Sequence, residues 1–311
     1  MELGLFSRAY QHMEKDKAFQ NIHRHSIRNV ELTANRGSLH IDLDKALDRE
    51  YRKEFERNLS LYELNITCLS LHRDTQLVLG PHGAATQHFF SGSAEEQINY
   101  GINRTKLAAD VACEYNIPLV VGYLGCGDFS QWYPWPYKEG WKKQYEIAYE
   151  RWMPILEHYE ARGVKFAHEV GPQQIAYNLE SAVEVCELLS SNSFGICFDP
   201  SNLILVGVDP VCFIEKLGGK ILHVHGKDGE VTNHLSVSGW MAHGDLNRED
   251  RGFRFRVPGW GDVKWKKILT ALKLNGYNGV ISIEIEDPTM EREEAIWKAK
   301  DYLSPLLFHG K

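Results

Sequence analysis

The sequence predicts an α/β fold, a (β/α)8 barrel with a long insertion between its seventh and eighth strands. Three observations carry that reading. The chain has 311 residues, a length such barrels commonly take. Short apolar runs recur along it, mostly separated by helical patterns, and eight strand–helix repeats close a parallel sheet into a barrel. The long irregular stretches, 72–92 and 229–262, both follow strands, which puts them at the C-terminal rim, where barrel enzymes keep their sites. Without a linker or low-complexity segment, residues 1–311 read as a single domain.

The elements follow in order. Leu3 to Ala9 is the first strand, and Lys15 to His25 reads as helical. NVELT (29–33) is the second strand. A helix is predicted over Asp44 to Leu64, because Leu43, Leu47, Tyr51, Phe55 and Leu59 recur every four residues. Ile66 to Leu71 is the third strand, running into His72. The capping box Ser93-Ala-Glu-Glu96 opens a helix that closes near Asn116. The fourth strand, Ile117 to Tyr123, leads into an aromatic loop, SQWYPWPY (130–137), and a helix follows from about Gly140 to Arg162. Strand five, Val164 to Val170, carries His168 and Glu169. After a helix over Leu179 to Leu189, strand six runs Phe194 to Phe198 and ends at Asp199. Asp209-Pro210 is a cap and first-turn proline for the next helix. Strand seven is ILHVHGKD (221–228). Beyond the insertion come a helix over Val263 to Asn275, strand eight from Gly279 to Ile285, and a last helix over Arg292 to Leu303.

Composition narrows the function. The net charge of −7 is mild and no basic stripe is present, so nucleic acid is not an expected partner. No apolar run approaches the ~18 residues of a membrane span, and the N-terminus lacks the apolar core of a signal peptide. The cysteines at 68, 113, 126, 186, 197 and 212 are scattered without a CxxC, as reduced thiols of a cytoplasmic protein would be.

The chemistry concentrates at strand ends. Glu169, Asp199, His225 and Glu284 close strands five to eight, which are neighbours around a barrel. One acid at a strand end is ordinarily a solvated residue; four donors on adjacent strands suit a metal. Three carboxylates and an imidazole form a mostly hard-oxygen set that fits one divalent ion, Mn²⁺ first, with Mg²⁺, Co²⁺ or Zn²⁺ as alternatives. His223 shares a face with His225 and supports it rather than binding metal. His168 alternates with Glu169, so its ring points away from the axis unless the strand end bulges; turned inward, it is a candidate base. Lys227 is placed to hold a substrate oxyanion. Candidate substrate contacts are His72, Asn202, His223, Trp132 and Arg256. His72 and the nearby His82 sit on the strand-three loop. Trp132, Tyr133, Trp135 and Tyr137 could stack on sugar faces or pack against the insertion. Arg254 and Arg256 could bind an anion or be structural. The insertion 229–262 is expected to cap the barrel mouth, with Trp240 or Trp260 closing the pocket.

FDPSN (198–202), LHVHGKD (222–228), VPGWGDVKW (257–265) and SIEIEDP (282–288), together with Glu169, resemble the xylose-isomerase-like TIM barrel superfamily of sugar isomerases, ketose 3-epimerases and sugar lyases. The resemblance is closest in the C-terminal half. It implies one divalent metal on Glu169, Asp199, His225 and Glu284, with Glu169 and Glu284 as base and acid. The chain departs from the family's pattern at Asn202 and Gly171, where relatives often carry histidine. The resemblance implies an isomerase or epimerase that removes a proton next to the carbonyl of a keto-sugar. The alternative is a lyase cleaving 3-oxo-glycosides, as C-glycoside deglycosidases do with a smaller second subunit. Otherwise a homo-oligomer is the expectation. A barrel endonuclease would need more histidine ligands and a basic groove. A non-catalytic sugar-binding protein would have no use for an intact ligand shell.

Overall fold

The computed structural model describes residues 1–127, 138–232, 239–242, 244–245 and 248–308. The first half of the chain gives β1 (Glu2–Phe6), α1 (Lys15–Arg24), β2 (Asn29–Thr33), α2 (Arg49–Leu61), β3 (Asn65–Ser70), α3 (His72–Gln76), α4 (Ala94–Glu114), β4 (Leu119–Gly122) and α5 (Lys138–Ala161). The second half gives β5 (Lys165–Glu169), α6 (Leu179–Leu188), β6 (Phe194–Phe198), α7 (Pro200–Leu205), α8 (Pro210–Leu217), β7 (Ile221–Gly226), β8 (Asp228–Val231), β9 (Phe253–Arg256), α9 (Trp265–Leu274), β10 (Val280–Ile283) and α10 (Arg292–Leu303). Eight parallel strands close in the order β1-β2-β3-β4-β5-β6-β7-β10, and β10 pairs back onto β1. The chain is therefore the expected (β/α)8 barrel. β8 and β9 form a separate antiparallel hairpin inside the insertion.

Local chemistry sets the boundaries. Helix α2 starts at Arg49, five residues after the predicted start, because the Asp48 side chain accepts the Glu50 and Tyr51 amides and fixes the cap there. Strand β1 ends at Phe6, and residues 7–10 turn as a 3₁₀ segment rather than extending the strand to Ala9. Two short helices, α3 and α7, were not expected. The second is started by the Asp-Pro pair itself, with Asp199 as cap and Pro200 in the first turn.

Large side chains seal the outside of the barrel: Trp152, Tyr159 and Phe166 pack together between α5 and β5, all fully buried. Inside, Cys68, Leu119, Val121, Ala167 and Cys197 form a small apolar plug. The strand ends that follow them carry the polar groups. Among the described residues no helix is long and apolar enough to cross a membrane.

Candidate metal centre

Register brings the strand ends together. Glu169 lies beside Cys197 of β6, and Cys197 beside His223 of β7, so Asp199 and His225 stand one step nearer the mouth. His225 pairs with Ser282 of β10, which sets Glu284 one step above it. One ligand atom each from Glu169, Asp199, His225 and Glu284 lies within 4.8 Å of the others, and all four residues are buried.

Each donor has one side tied down. Asp199 Oδ1 accepts the Ser201 amide at 2.8 Å and its hydroxyl at 2.7 Å, the α7 cap, which leaves Oδ2 without a hydrogen bond. Glu169 Oε1 accepts from Asn202 Nδ2 at 2.8 Å, while Oε2 faces His72 Nε2 at 2.7 Å. Arg8 donates to Glu284 Oε1 at 3.0 Å. His225 Nε2 lies 3.1 Å from Glu31 Oε1, and its ring stacks on Phe6. Burial opposes charge on the ring, yet Cys197 and the surrounding carboxylates hold its pKa well above the ordinary histidine value, with Nδ1 3.2 Å from Glu284 Oε2 and 3.6 Å from Glu169 Oε2; a metal ion there would displace that proton and take Nδ1 as an acceptor, with Nε2 donating to Glu31. Lys227 Nζ approaches Asp199 Oδ2 at 3.0 Å and Glu284 Oε2 at 2.8 Å, in ion-pair range but off hydrogen-bond angle. Asp199 Oδ2, His225 Nδ1 and Glu284 Oε2 thus have no hydrogen-bond partner among the described residues. Lys227 offsets part of the cost through its ion pairs with Asp199 and Glu284, and the acceptors left converging on one point are what a divalent cation would take. The residues fit a divalent ion.

Charge agrees with geometry. The three ligand carboxylates, Glu31 and Glu286 are offset by Lys227 and Arg8, which leaves an excess of negative charge. Burial opposes the charge on Glu169, yet His225 and His72 hold its pKa well below the usual range. Burial also opposes the charge on Glu284, which Lys227 and His225 overcome. Asp199 is pushed up to about 6 by burial, against the pull of Lys227. Lys227 loses solvation, but Asp199, Glu284 and Glu286 keep its pKa well above the ordinary lysine value.

The site opens into a pocket of about 350 Å³ whose walls include Arg8, Asn35, His72, Tyr123, Lys227 and Glu286. His72 meets Tyr123 edge-on at 4.7 Å. Four candidates lie elsewhere. His168 is fully buried on the outer face, with Nδ1 accepting the Leu124 amide at 3.2 Å and Nε2 near Ala176 O at 3.4 Å. Burial lowers its pKa to about 4, so the ring is a neutral strut between loops, not a base at the metal. His223 sits below His225, with Nε2 2.8 Å from Glu31 Oε2, and does not reach the pocket. Arg256 is held by Asp287 at 2.9 Å and Glu230 at 2.5 Å, which makes it a clamp within the insertion rather than a substrate contact. Asn202 is buried against Glu169 and orients that ligand. Arg254 donates to the Arg248 and Glu249 carbonyls, and His82 lies 2.7 Å from Leu77 O. Trp132 and the rest of 130–137 lie outside the described residues.

The insertion reaches the mouth through Phe255, whose ring centre is 4.6 Å from Lys227 Nζ. Trp240 lines a groove beside the pocket. Trp260 instead lies under Lys298 of α10, on the outside of the barrel, and closes nothing. Asp228 anchors the base of the insertion: its carboxylate accepts the Gly229, Gly259 and Val263 amides and the Trp265 indole N–H. A Cβ at Gly261 would stand 2.3 Å from Asp228 Oδ1, which explains the glycine in PGWGD.

Sequence reasoning passed over Glu31, Arg8, Ser201, Tyr123, Phe255 and Glu286. Glu31 had a signal: an acid in an apolar strand, on the inward side of NVELT.

Fold and site define a (β/α)8 barrel with a four-donor centre at its C-terminal rim. The chain belongs to the xylose isomerase-like TIM barrel family, whose sequence model matches residues 19–306. The uncharacterized protein YfiH of Bacillus subtilis is 28% identical over 269 residues, covering 83% of each chain. An inosose dehydratase of Lacticaseibacillus casei is 29% identical over 175 residues, covering 51% of this chain and 55% of its own. Among solved structures, the IolI protein with a bound zinc atom superposes with a TM-score of 0.69 at 19% identity, over 100% of both chains. The 3-keto-D-glucoside 4-epimerase YcjR of E. coli does so with a TM-score of 0.70 at 12% identity, over 98% of this chain and 99% of its own. At those identities the likeness is one of fold. The family's enzymatic relatives include epimerases and dehydratases, and zinc is bound in one neighbour.

Proposed function

We propose that this chain is a divalent-metal-dependent enzyme of keto-sugars that removes the proton next to a carbonyl, giving an isomer or epimer. The observation that carries this reading is the convergence of four buried donors, three of them with an atom that has no hydrogen-bond partner among the described residues, facing a polar pocket. When bound, a divalent ion would polarise a carbonyl and acidify the adjacent C–H. The residues supply the rest. Glu169 and Glu284 approach from β5 and β10, opposite sides of His225, so one can accept a proton and the other return it. The Lys227 ammonium, held charged by its carboxylate neighbours, is placed to stabilise an enolate oxygen. Tyr123 and Asn35, which line the pocket, offer hydrogen bonds to sugar hydroxyls.

A second reading is favoured by the inosose dehydratase relative and by the apolar groove beside the pocket. In it the same proton is removed, and the electron pair expels a group on the next carbon, as in a lyase acting on 3-oxo-glycosides. A screen of free ketoses, 3-oxo-glucose and 3-oxo-glycosides with added Mn²⁺, read by NMR, tests both. An epimerised or isomerised sugar supports the first reading and a released aglycone the second. Turnover that survives exhaustive chelation would defeat both.

A further inference from the structure

We propose that Glu286 is a positioning residue: it is the seat to which the Lys227 ammonium withdraws when a divalent ion takes Asp199 and Glu284, and from which that ammonium meets the developing enolate oxygen. This rests on the reading of the four donors as a metal centre serving proton removal, and adds how a second cation is held beside the ion.

Lys227 is buried, and its Nζ stands among the carboxylates of Asp199, Glu284 and Glu286. Its contacts to Asp199 Oδ2 at 3.0 Å and Glu284 Oε2 at 2.8 Å fall on oxygens that have no hydrogen-bond partner among the described residues and that a divalent ion would take. An ammonium and a divalent ion on the same oxygens repel each other, and more strongly in a buried site than in water. Lys227 therefore competes with the ion unless it has another place to go.

Glu286 provides that place. Its Oε2 accepts a hydrogen bond from Nζ at 2.9 Å, whereas the contacts to Asp199 and Glu284 are ion pairs off hydrogen-bond angle. Of these carboxylates it is the one outside the four-donor set. Its other oxygen accepts from Arg8 Nη1, and Arg8 also donates to Glu284 Oε1 at 3.0 Å, so the carboxylate is fixed with Oε2 turned to the lysine. Nζ already lies within 3.0 Å of both seats, so the ammonium need only tilt between them. The Phe255 ring, centred 4.6 Å from Nζ, flanks it from the insertion. Lys227 and Glu286 both line the metal pocket, so an ammonium on this seat faces the substrate. A further carboxylate beside an anionic centre adds repulsion; its place between Arg8 and Lys227 is that of a holder of cations.

The test is calorimetric titration of the chelator-stripped protein with MnCl₂. The wild type should take up about one ion per chain. Glu286→Gln should bind Mn²⁺ about tenfold more weakly at the same stoichiometry, and most of that loss should vanish when Lys227→Met is added, because the competitor is gone. A loss of equal size in both backgrounds would overturn the seat, since Glu286 would then act by its charge alone. Folding of the Lys227→Met chains is read by circular dichroism. Should they not fold, Glu286→Asp decides: it keeps the charge and draws the seat back, so affinity should fall as with glutamine, and wild-type affinity would overturn the proposal. At saturating Mn²⁺, Glu286→Gln should lower kcat on an active keto-sugar about tenfold with KM within about twofold, because the ammonium meets the enolate and not the ketone. A loss carried by KM would overturn that placement. A wild type that binds no Mn²⁺ overturns the centre and the seat with it, whereas a bound ion whose affinity Glu286→Gln leaves unchanged overturns the seat alone. The predicted affinities without turnover on any keto-sugar would uphold the seat and remove the proposed reaction.

Discussion

Strands β5, β6, β7 and β10 each end in a donor of the centre, whereas β1 to β4 and the turns after them send in side chains that hold those donors still. Glu31 of β2 fixes His225, Arg8 after β1 holds Glu284, and His72 after β3 faces Glu169. Glu31 is as buried as the donors it supports, so burial alone does not tell the two sets apart. The difference lies in their unsatisfied atoms. Asp199, His225 and Glu284 keep a buried atom without a hydrogen-bond partner, while both oxygens of Glu31 are engaged, by Ser70, His223 and His225. The half in which three orphan atoms converge is built for a ligand; the half that satisfies its own, His72 Nε2 apart, is built to be rigid.

That contrast can be broken by substitution. The largest effect belongs to a donor: Asp199→Ala should take bound divalent metal from about one ion per chain to near zero, with the circular dichroism spectrum unchanged, since a rim carboxylate contributes little packing. Retained stoichiometry would erase the distinction. Next come the two neighbours on β5, Glu169 facing in and His168 facing out. A His168 pKa of about 4 in the fold against 6.5 in the unfolded chain means that the unfolded state binds more protons between those values. Stability is therefore full above pH 6.5 and falls as pH drops towards 4, by up to roughly 3 kcal/mol from this group. Urea midpoints at pH 7 and pH 4.5 should converge in His168→Gln relative to wild type; an equal drop in both would place the titration elsewhere. A supporter should cost less than a donor. Glu31→Gln should weaken metal affinity by about 10- to 100-fold with the stoichiometry kept at saturation. Smallest is Trp260→Ala, which should cost at most about 1 kcal/mol through the lost Lys298 contact and leave catalysis unaltered. A changed kcat would bring that residue back to the mouth.

The same contrast decides what was legible in the sequence. Donors on β5, β6, β7 and β10 close apolar runs, and strand periodicity alone places them on neighbouring ends of a parallel barrel. FDPSN shows how much one pentapeptide holds: its Asp is at once candidate ligand, helix cap and start of α7. The supporters were harder to read. Arg8 meets Glu284 across 276 positions, a pairing that only barrel closure creates. Arg256 carried the right charge for an anion site, but Asp287 and Glu230 consume it, and charge pairing between distant segments leaves no local trace. For His168, strict alternation already argued for the outer face, and its contacts with Leu124 and Ala176 show why no bulge turns it inward.

The central claim is that these donors serve proton removal beside a ketone. The most direct measurement is deuterium exchange: an active keto-sugar incubated in D₂O with the Mn²⁺-loaded protein and followed by NMR at the carbon next to the ketone. The account predicts exchange or loss of that hydrogen, slowed by orders of magnitude in Glu169→Gln or Glu284→Gln and unaffected in His168→Gln at pH 7. Full turnover with the hydrogen kept on its own carbon, or carried to the neighbouring carbon without exchange, would contradict it.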